Sequence, residues 1–356
     1  MNTYKQYHDE SNKFFYETMI YFSQCNADKK FALDQLLKLT SDAAVEDFNV
    51  RNMSRDALTE KGIAILVSRC SFKIYKYPTE NQHVVLSTWE EKSEALQFVR
   101  DYEIRSEDGE KLISGFSTWL LVDLKNRRLM PIKKFDEMGL RTPSELKMEH
   151  DCLPCGKITL SENAKLLAER KICCSDIGAN GHTNNSRYAA FAVDALPPEY
   201  RGKQFTDFRI NFSKEAMIDE TLQIFGDICD DEKKIIVVGK TSEAVSFEAE
   251  LHWSRIADRL TELEKSLGKK VNLYLAIVDY FTSDSQVFNS PVLVEIKVLR
   301  EAEEMAMLDS LTKAFNRRYM DIFLRKEINR CNRYDKSFSI MLLDIDDFKK
   351  FNDKYG

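Results

Sequence analysis

The sequence predicts an α+β fold in which one helix is wrapped by an antiparallel sheet, and it predicts this twice in tandem. Three observations lead there. From about residue 4 to 254 a single helical pattern alternates with several strand patterns, and the whole order repeats. The segments SQCNADKK (23–30) and SDIGANGH (175–182) stand at equivalent places, each joining an extended run to a helix. The composition is 43% hydrophobic and 31% charged, which suits a packed soluble chain and excludes wholesale disorder.

In the first half, Leu33, Leu36, Leu37, Ala44 and Phe48 recur at helical spacing. Strand-like runs follow at 63–77 (IAILVSRCSFKIYKY), 83–90 (HVVLSTWE), 96–105 (LQFVRDYEIR) and 112–123 (LISGFSTWLLVD), with Asp108-Gly109 as a hairpin turn. In the second half a helix at about 184–196 (NNSRYAAFAVDAL) precedes strands near 205–213, 220–229, 233–241 and 243–254. The segment 131–158, with Pro131, Pro143 and Pro154, reads as connecting chain. The resulting divisions are 1–140 for the first repeat, 141–158 for the connector, 159–255 for the second repeat, 256–304 for a helical linker, and 305–356 for a further unit.

Charge and cysteines narrow the function classes. Lys and Arg number 52 against 58 Asp and Glu, a net of −6, which is no nucleic-acid-binding balance. No apolar run is long enough to span a bilayer and the polar start has no signal-peptide character, so the expected compartment is the cytosol. The eight cysteines resemble no compact disulfide framework. Cys152 and Cys155 form a CxxC that Cys173-Cys174 could complete as a zinc site, but adjacent cysteines are awkward tetrahedral ligands and incidental thiols are the better reading.

The densest polar stretch before an apolar helix is Asp176-Ile-Gly-Ala-Asn-Gly-His-Thr-Asn-Asn-Ser-Arg-Tyr188. Its glycines allow unusual backbone angles and Asn184 or Asn185 can cap the helix. Asn180 and His182, two apart in an extended loop, can face one cleft; the plainer alternative is a capping loop with an incidental histidine.

These residues resemble the active-site loop of acyl-ACP thioesterases, whose pattern Asp-x-Asn-x-His-Val-Asn-Asn, followed by a tyrosine, is nearly matched by Gly178 to Tyr188. The resemblance extends over about 4–254, including the strands at Leu66–Arg69 and Trp119–Asp123. It implies a tandem, or double, hotdog fold and a thiolester hydrolase of fatty acid biosynthesis that needs no cofactor. Its partner would be acyl carrier protein bearing a fatty acyl chain. A family glutamate on the following strand falls at Glu215, and Ala216 after it argues against a thiol nucleophile. Glu215 would activate water as general base, Asn180 and backbone N–H groups would hold the oxyanion, and His182 would orient Glu215 or protonate the leaving thiolate. Direct attack by Glu215, giving an anhydride, is the alternative. The family aspartate is Gly178 here, so either Asp176 lends support or activity is reduced. The first repeat has Asp28 and Lys30 where the second has Asn180 and His182, so only the second repeat is expected to be catalytic and the first to supply the acyl tunnel.

Beyond 256 the texture changes. Ile256, Leu260, Leu263 and Leu267 make a helical stripe, and 291–308 a second one, usable as a packing surface, a coupler or a homodimer contact. Then Asp309-Ser-Leu-Thr-Lys-Ala-Phe-Asn-Arg-Arg318, with Glu327, Arg330, Arg333-Tyr334 and the strand and helix of 338–356, resembles the opening of GGDEF diguanylate cyclase domains. That resemblance implies an α/β domain in which Asp344 binds magnesium, Asn352 recognises guanine and Lys349 lies near the triphosphate of GTP. The Gly-Gly-Asp-Glu-Phe turn would lie beyond Gly356, so the expectation is an incomplete and inactive cyclase portion. Three functions follow as expectations: an acyl-ACP hydrolase, an acyl-sensing regulatory module of a diguanylate cyclase, or an acyl-binding module without catalysis.

Overall fold

The structure is a computed structural model, which describes residues 4–91, 96–126, 128–139 and 143–254 together with isolated positions 263, 267, 271, 323 and 327. Contacts separate Met1–Tyr280 from Phe281–Gly356, and every named helix and strand belongs to the first of these units. The first repeat runs β1 (Gln6–His8), β2 (Phe14–Met19), α1 (Leu33–Val50), α2 (Arg55–Glu60), β3 (Ile63–Ile74), β4 (His83–Glu90), β5 (Gln97–Ser106), β6 (Lys111–Asp123), β7 (Arg128–Met130) and α3 (Ile132–Glu137). The second runs β8 (Lys165–Lys171), α4 (Asn185–Asp194), α5 (Pro198–Arg201), β9 (Phe205–Phe212), β10 (Thr221–Cys229), β11 (Lys234–Lys240) and β12 (Val245–Trp253).

All these strands join one antiparallel sheet of order β1-β2-β4-β5-β6-β3-β9-β12-β11-β10-β8, with β7 paired to β6. Within the first repeat the order is β2-β4-β5-β6-β3; within the second it is β8-β10-β11-β12-β9. These are the same order read from opposite ends, so the repeats meet about a local two-fold. The seam is β3 against β9, with Cys70 opposite Ile210 and Phe72 opposite Phe208.

Each long helix lies in the concave face of its half. The α1 stripe of Leu33, Leu36, Leu37, Ala44 and Phe48 is buried, as is the Tyr188, Ala189, Phe191 and Ala192 face of α4. The two helices pack against each other, and one hydrophobic cluster runs through both repeats from Leu36 to Phe191 and Trp253. Cutting a ring such as Phe191 to alanine there costs about 3–5 kcal/mol.

One ion cluster is sealed inside this apolar frame. Asp47 of α1 meets Arg100 Nη1 at 2.8 Å, Arg51 Nε at 2.8 Å and His8 Nε2 at 2.6 Å. Burial alone would raise the Asp47 pKa, but Arg100 and Arg51 hold it below the ordinary carboxylate range. His8 thereby ties the short strand β1 to the first helix.

The long elements lie where the sequence periodicity places them. The short ones, β1, β7, α2, α3 and α5, have too few residues to show a period. Among them α3 corrects the extent of the connecting chain: Ile132 and Phe135 are buried in the first repeat's core, so the residues after Pro131 belong to that repeat.

Candidate active site

Four local bonds build the second repeat's polar loop. Ile177 pairs with Thr183 across an antiparallel bridge. Gly178 N donates to His182 O at 2.8 Å and Gly181 N to Gly178 O at 3.0 Å, with Gly181 at φ +82°, where a side chain is disfavoured. Asn184 caps α4 by accepting from Ser186 N at 3.0 Å.

Glu215 stands just beyond the end of β9, in the loop rather than on the strand. Its place is fixed by Ala216 beside it. Ala216 O accepts from Thr183 N at 3.0 Å and from the Thr183 hydroxyl at 2.7 Å. Ala216 N donates to the buried Tyr188 hydroxyl at 3.0 Å. This staple brings Glu215 Oε1 to 3.2 Å from His182 Nε2. The other ring nitrogen, Nδ1, lies 3.0 Å from Thr183 O. Since a carbonyl only accepts, Nδ1 carries a proton and Nε2 is the nitrogen that faces the carboxylate. The imidazole is 17% and the carboxylate 57% exposed, so the pair has an anchored ring and a wet carboxylate.

Asn180 is exposed at the tip of the same turn and makes no hydrogen bond to His182 or Glu215. Asp176 is also separate from the pair. It is fully buried and receives Cys173 N at 3.0 Å, Arg187 Nε at 3.0 Å and Arg170 Nη2 at 3.3 Å. Burial would raise its pKa, but the Cys173 amide and the two guanidinium groups pull it down. Asp176 therefore supports the loop from beneath. Tyr188 ends the motif quoted above, but what it and Thr183 hold is revealed only by their bonds to Ala216.

The two-fold makes the first repeat an internal control. There Cys25 bridges Phe31, Asn26 N donates to Lys30 O at 2.8 Å, Lys29 N to Asn26 O at 2.9 Å, and Phe31 N to Pro78 O at 2.9 Å. Each bond has its counterpart in the second repeat, which aligns Lys30 with His182, Asp28 with Asn180, Tyr77 with Glu215 and Asn26 with Gly178. The Tyr77 hydroxyl donates to Phe205 O at 2.9 Å, and burial drives its pKa well up. A cavity of about 210 Å³ lies at this place, bordered by Lys30, Tyr77 and the α4 residues Ala189 and Val193. The Asn26 carboxamide oxygen accepts from Asp28 N and Lys30 N, both at 3.0 Å; Gly178 has no side chain to do the same.

Among the described residues the cysteines form no cluster that could hold a metal. Cys173 and Cys174 are exposed beside the loop, while Cys152 and Cys155 lie in the connector. Burial pushes the Cys152 thiol up to about 11; burial and then Cys152 push Cys155 to about 12. Asp344, Lys349 and Asn352 lie outside the described residues. No helix among the described residues is long and apolar enough to cross a membrane.

Comparison with known proteins bears on the family and the fold. Residues 11–137 match the acyl-ACP thioesterase N-terminal domain, 161–255 the acyl-ACP thioesterase C-terminal domain, and 306–356 the diguanylate cyclase GGDEF domain. A chloroplastic palmitoyl-acyl carrier protein thioesterase of Cuphea hookeriana is 23% identical over 189 residues, which is 49% of this chain and 45% of that one. The chain thus spans under half the length of that relative. A diguanylate cyclase of Shewanella oneidensis is 44% identical over 57 residues, 16% of this chain and 19% of that one. The crystal structure of an acyl-ACP thioesterase from Bacteroides thetaiotaomicron superposes with a TM-score of 0.60 at 19% identity, covering 68% of this chain and 98% of that one. That likeness shows the double hotdog fold.

Proposed function

Over residues 11–137 and 161–255 the chain belongs to the acyl-ACP thioesterase family, and from that premise we propose that it hydrolyses the thioester of fatty acyl-[acyl carrier protein] at the His182–Glu215 pair. The observation that carries the reading is the 3.2 Å approach of an anchored imidazole to a solvent-open carboxylate at the N-terminus of α4. Glu215 takes a proton from water as the oxygen attacks the thioester carbonyl. The resulting oxyanion is met by Asn180 and by the positive end of α4. Glu215 passes that proton across the 3.2 Å gap to His182 Nε2, and as the C–S bond breaks Nε2 delivers it to the sulfur, leaving an ionised Glu215, a free fatty acid and the carrier thiol. Met217 and Ile218, both half exposed next to Glu215, offer apolar surface where the acyl chain enters.

Steady-state hydrolysis of acyl-ACP by the full chain tests this. Glu215→Gln and His182→Asn are each expected to lower kcat by about 10²–10⁴-fold with little change in KM. Undiminished turnover by Glu215→Gln would refute the assignment.

The match of 306–356 to GGDEF favours a second reading, in which acyl recognition regulates conversion of GTP to cyclic di-GMP with magnesium. Tight acyl-ACP binding with no hydrolysis by the unaltered chain would turn the balance to that reading.

A further inference from the structure

On the outer face of the first repeat's sheet, three potential ligands come from three parts of the chain. Asp101 lies on β5 opposite Trp89 of β4 and Phe116 of β6. Alternation along β4 puts Glu91, just past its end, on the Trp89 face. The connector then lays His150 over them, its ring stacked on Phe116 with centroids 4.0 Å apart and planes within 10°. One donor atom each from Glu91, Asp101 and His150 lies within 4.8 Å of the other two.

We propose that Glu91, Asp101 and His150 bind one divalent transition-metal ion, of the zinc class, which fastens the connector to the first repeat. An acidic cluster alone would not carry this. The donor set includes an imidazole whose plane is fixed by Phe116. The Asp101 side chain is completely buried, and its Oδ2 meets no hydrogen-bond donor, with the Glu91 carboxyl as the neighbour of the Asp101 carboxyl. A buried carboxylate oxygen left in that state is costly unless something cationic or protic meets it. Its other oxygen, Oδ1, takes His150 Nε2 at 2.7 Å. Glu91 Oε1 is steadied by Met148 N at 3.1 Å, from the same connector segment as His150.

Two oxygens and one imidazole nitrogen form a donor set that zinc accepts, with water completing four-coordination. Donors on a tetrahedral zinc stand about 3.3 Å apart. The ion therefore enters by replacing the hydrogen between Asp101 and His150 and parting those atoms by roughly half an ångström. On the connector side a cavity of about 640 Å³ is bordered by Met148, His150 and Asp151, and of the three ligands it reaches His150 alone. The site is remote in role from His182 and Glu215, so it bears on how the repeats are joined rather than on the hydrolytic step.

The test is zinc titration by calorimetry on the full chain after chelator treatment, with cobalt(II) as a spectroscopic probe. Because Cys173 and Cys174 are exposed thiols, the Cys173→Ser/Cys174→Ser variant is titrated alongside. One equivalent should bind in both proteins and raise the melting temperature, and cobalt should give an oxygen–nitrogen spectrum without thiolate charge transfer. His150→Gln should weaken zinc at least about a hundredfold, since removing only a ligand's hydrogen-bond partner already costs roughly 10–100-fold. Asp101→Asn should do the same, with His150→Gln standing alone if that variant fails to fold. Zinc binding that survives in His150→Gln, that vanishes with the two cysteines, or that is absent from the unaltered chain would overturn the proposal.

Discussion

Gly178 is the position where the two repeats differ most informatively, and exchanging its chemistry with Asn26 is a direct test of the loop's design. In the first repeat the Asn26 side chain accepts from the amides of Asp28 and Lys30. The two-fold equivalents of those amides belong to Asn180 and His182, the two residues proposed to act on substrate. Gly178 is not among the glycines with positive φ, so a side chain can be placed there without backbone strain. A Cβ would stand 3.3 Å from Asn184 Cβ, a contact needing a shift of a few tenths of an ångström. Gly178→Asn should therefore gain two partly exposed hydrogen bonds and lose glycine's unfolded-state freedom, worth about 0.4–1 kcal/mol. Allowing for the Asn184 contact, the net is about 1 kcal/mol, or a rise of roughly 2–4 °C in melting temperature for a unit of this size. If the gain fixes the loop in its productive shape, kcat for acyl-ACP rises by up to about fivefold, the factor that corresponds to 1 kcal/mol. Gly178→Asp, which restores the family pattern, adds a carboxylate near the α4 N-terminus and should do at least as well in stability. Asn26→Gly should lower the melting temperature by a similar amount and leave kcat alone. Calorimetry and steady-state hydrolysis read both. A fall in stability for Gly178→Asn together with a neutral Asn26→Gly would show that the loops are not built on one plan.

Further outcomes are expected at three residues. Tyr188→Phe removes the acceptor of Ala216 N inside the core, so stability should fall by about 1–3 kcal/mol and kcat should fall more than KM rises as Glu215 loses its register. Asp47→Asn leaves the buried Arg100 without its counter-charge and should cost about 3–5 kcal/mol in urea unfolding. In acid, Asp47 has a folded pKa below its unfolded one, so its stabilisation is complete above about pH 4 and disappears as pH falls through the folded value; a missing acid limb in a pH series of unfolding would contradict this. Asp101 has the opposite sign: burial first, and then Glu91, push it up to about 6 against the pull of His150. Its charged form is disfavoured in the fold, so metal-free stability should decline from about pH 4 to pH 7, and Asp101→Asn should flatten that slope.

The helix–strand order was legible because each long element carries a clear period and the order occurs twice. The His182–Glu215 pair was legible through the family resemblance of the loop around Asn180, which also assigns the glutamate at Glu215. Asp176 shows where residue types run out. A lone aspartate near a glycine looks like a spare catalytic acid, yet its partners Arg170 and Arg187 come from the end of β8 and the first turn of α4 and hold it in a buried ion cluster. Glu91, Asp101 and His150 were invisible for a different reason. Their proximity depends on the β4–β5 register and on the path of the connector, which residue spacing does not encode.

The two-fold also bears on why only one of two similar frames is proposed to be catalytic. Hydrolysis needs a group that can gain and lose a proton at the loop and a carboxylate across from it. The first repeat keeps the frame but has Lys30 and Tyr77 at those places. Lysine's ammonium has no lone pair to act as base, and the Tyr77 hydroxyl is buried and committed to Phe205 O. Neither can activate water near neutral pH. The same exchange leaves the 210 Å³ cavity beside Lys30 and Tyr77 bordered by α4 of the other repeat. The two-fold predicts that the His182–Glu215 site is likewise bordered by α1, and Arg55 of α2 in the first repeat reaches Ala179 O at 3.1 Å. On that expectation the proposed site is composite, with its chemistry from the second repeat and one of its walls from the first. A second repeat expressed alone should accordingly retain Glu215 and His182 and still fail to turn over acyl-ACP. Activity in that isolated half would mean that the first repeat contributes nothing to the site.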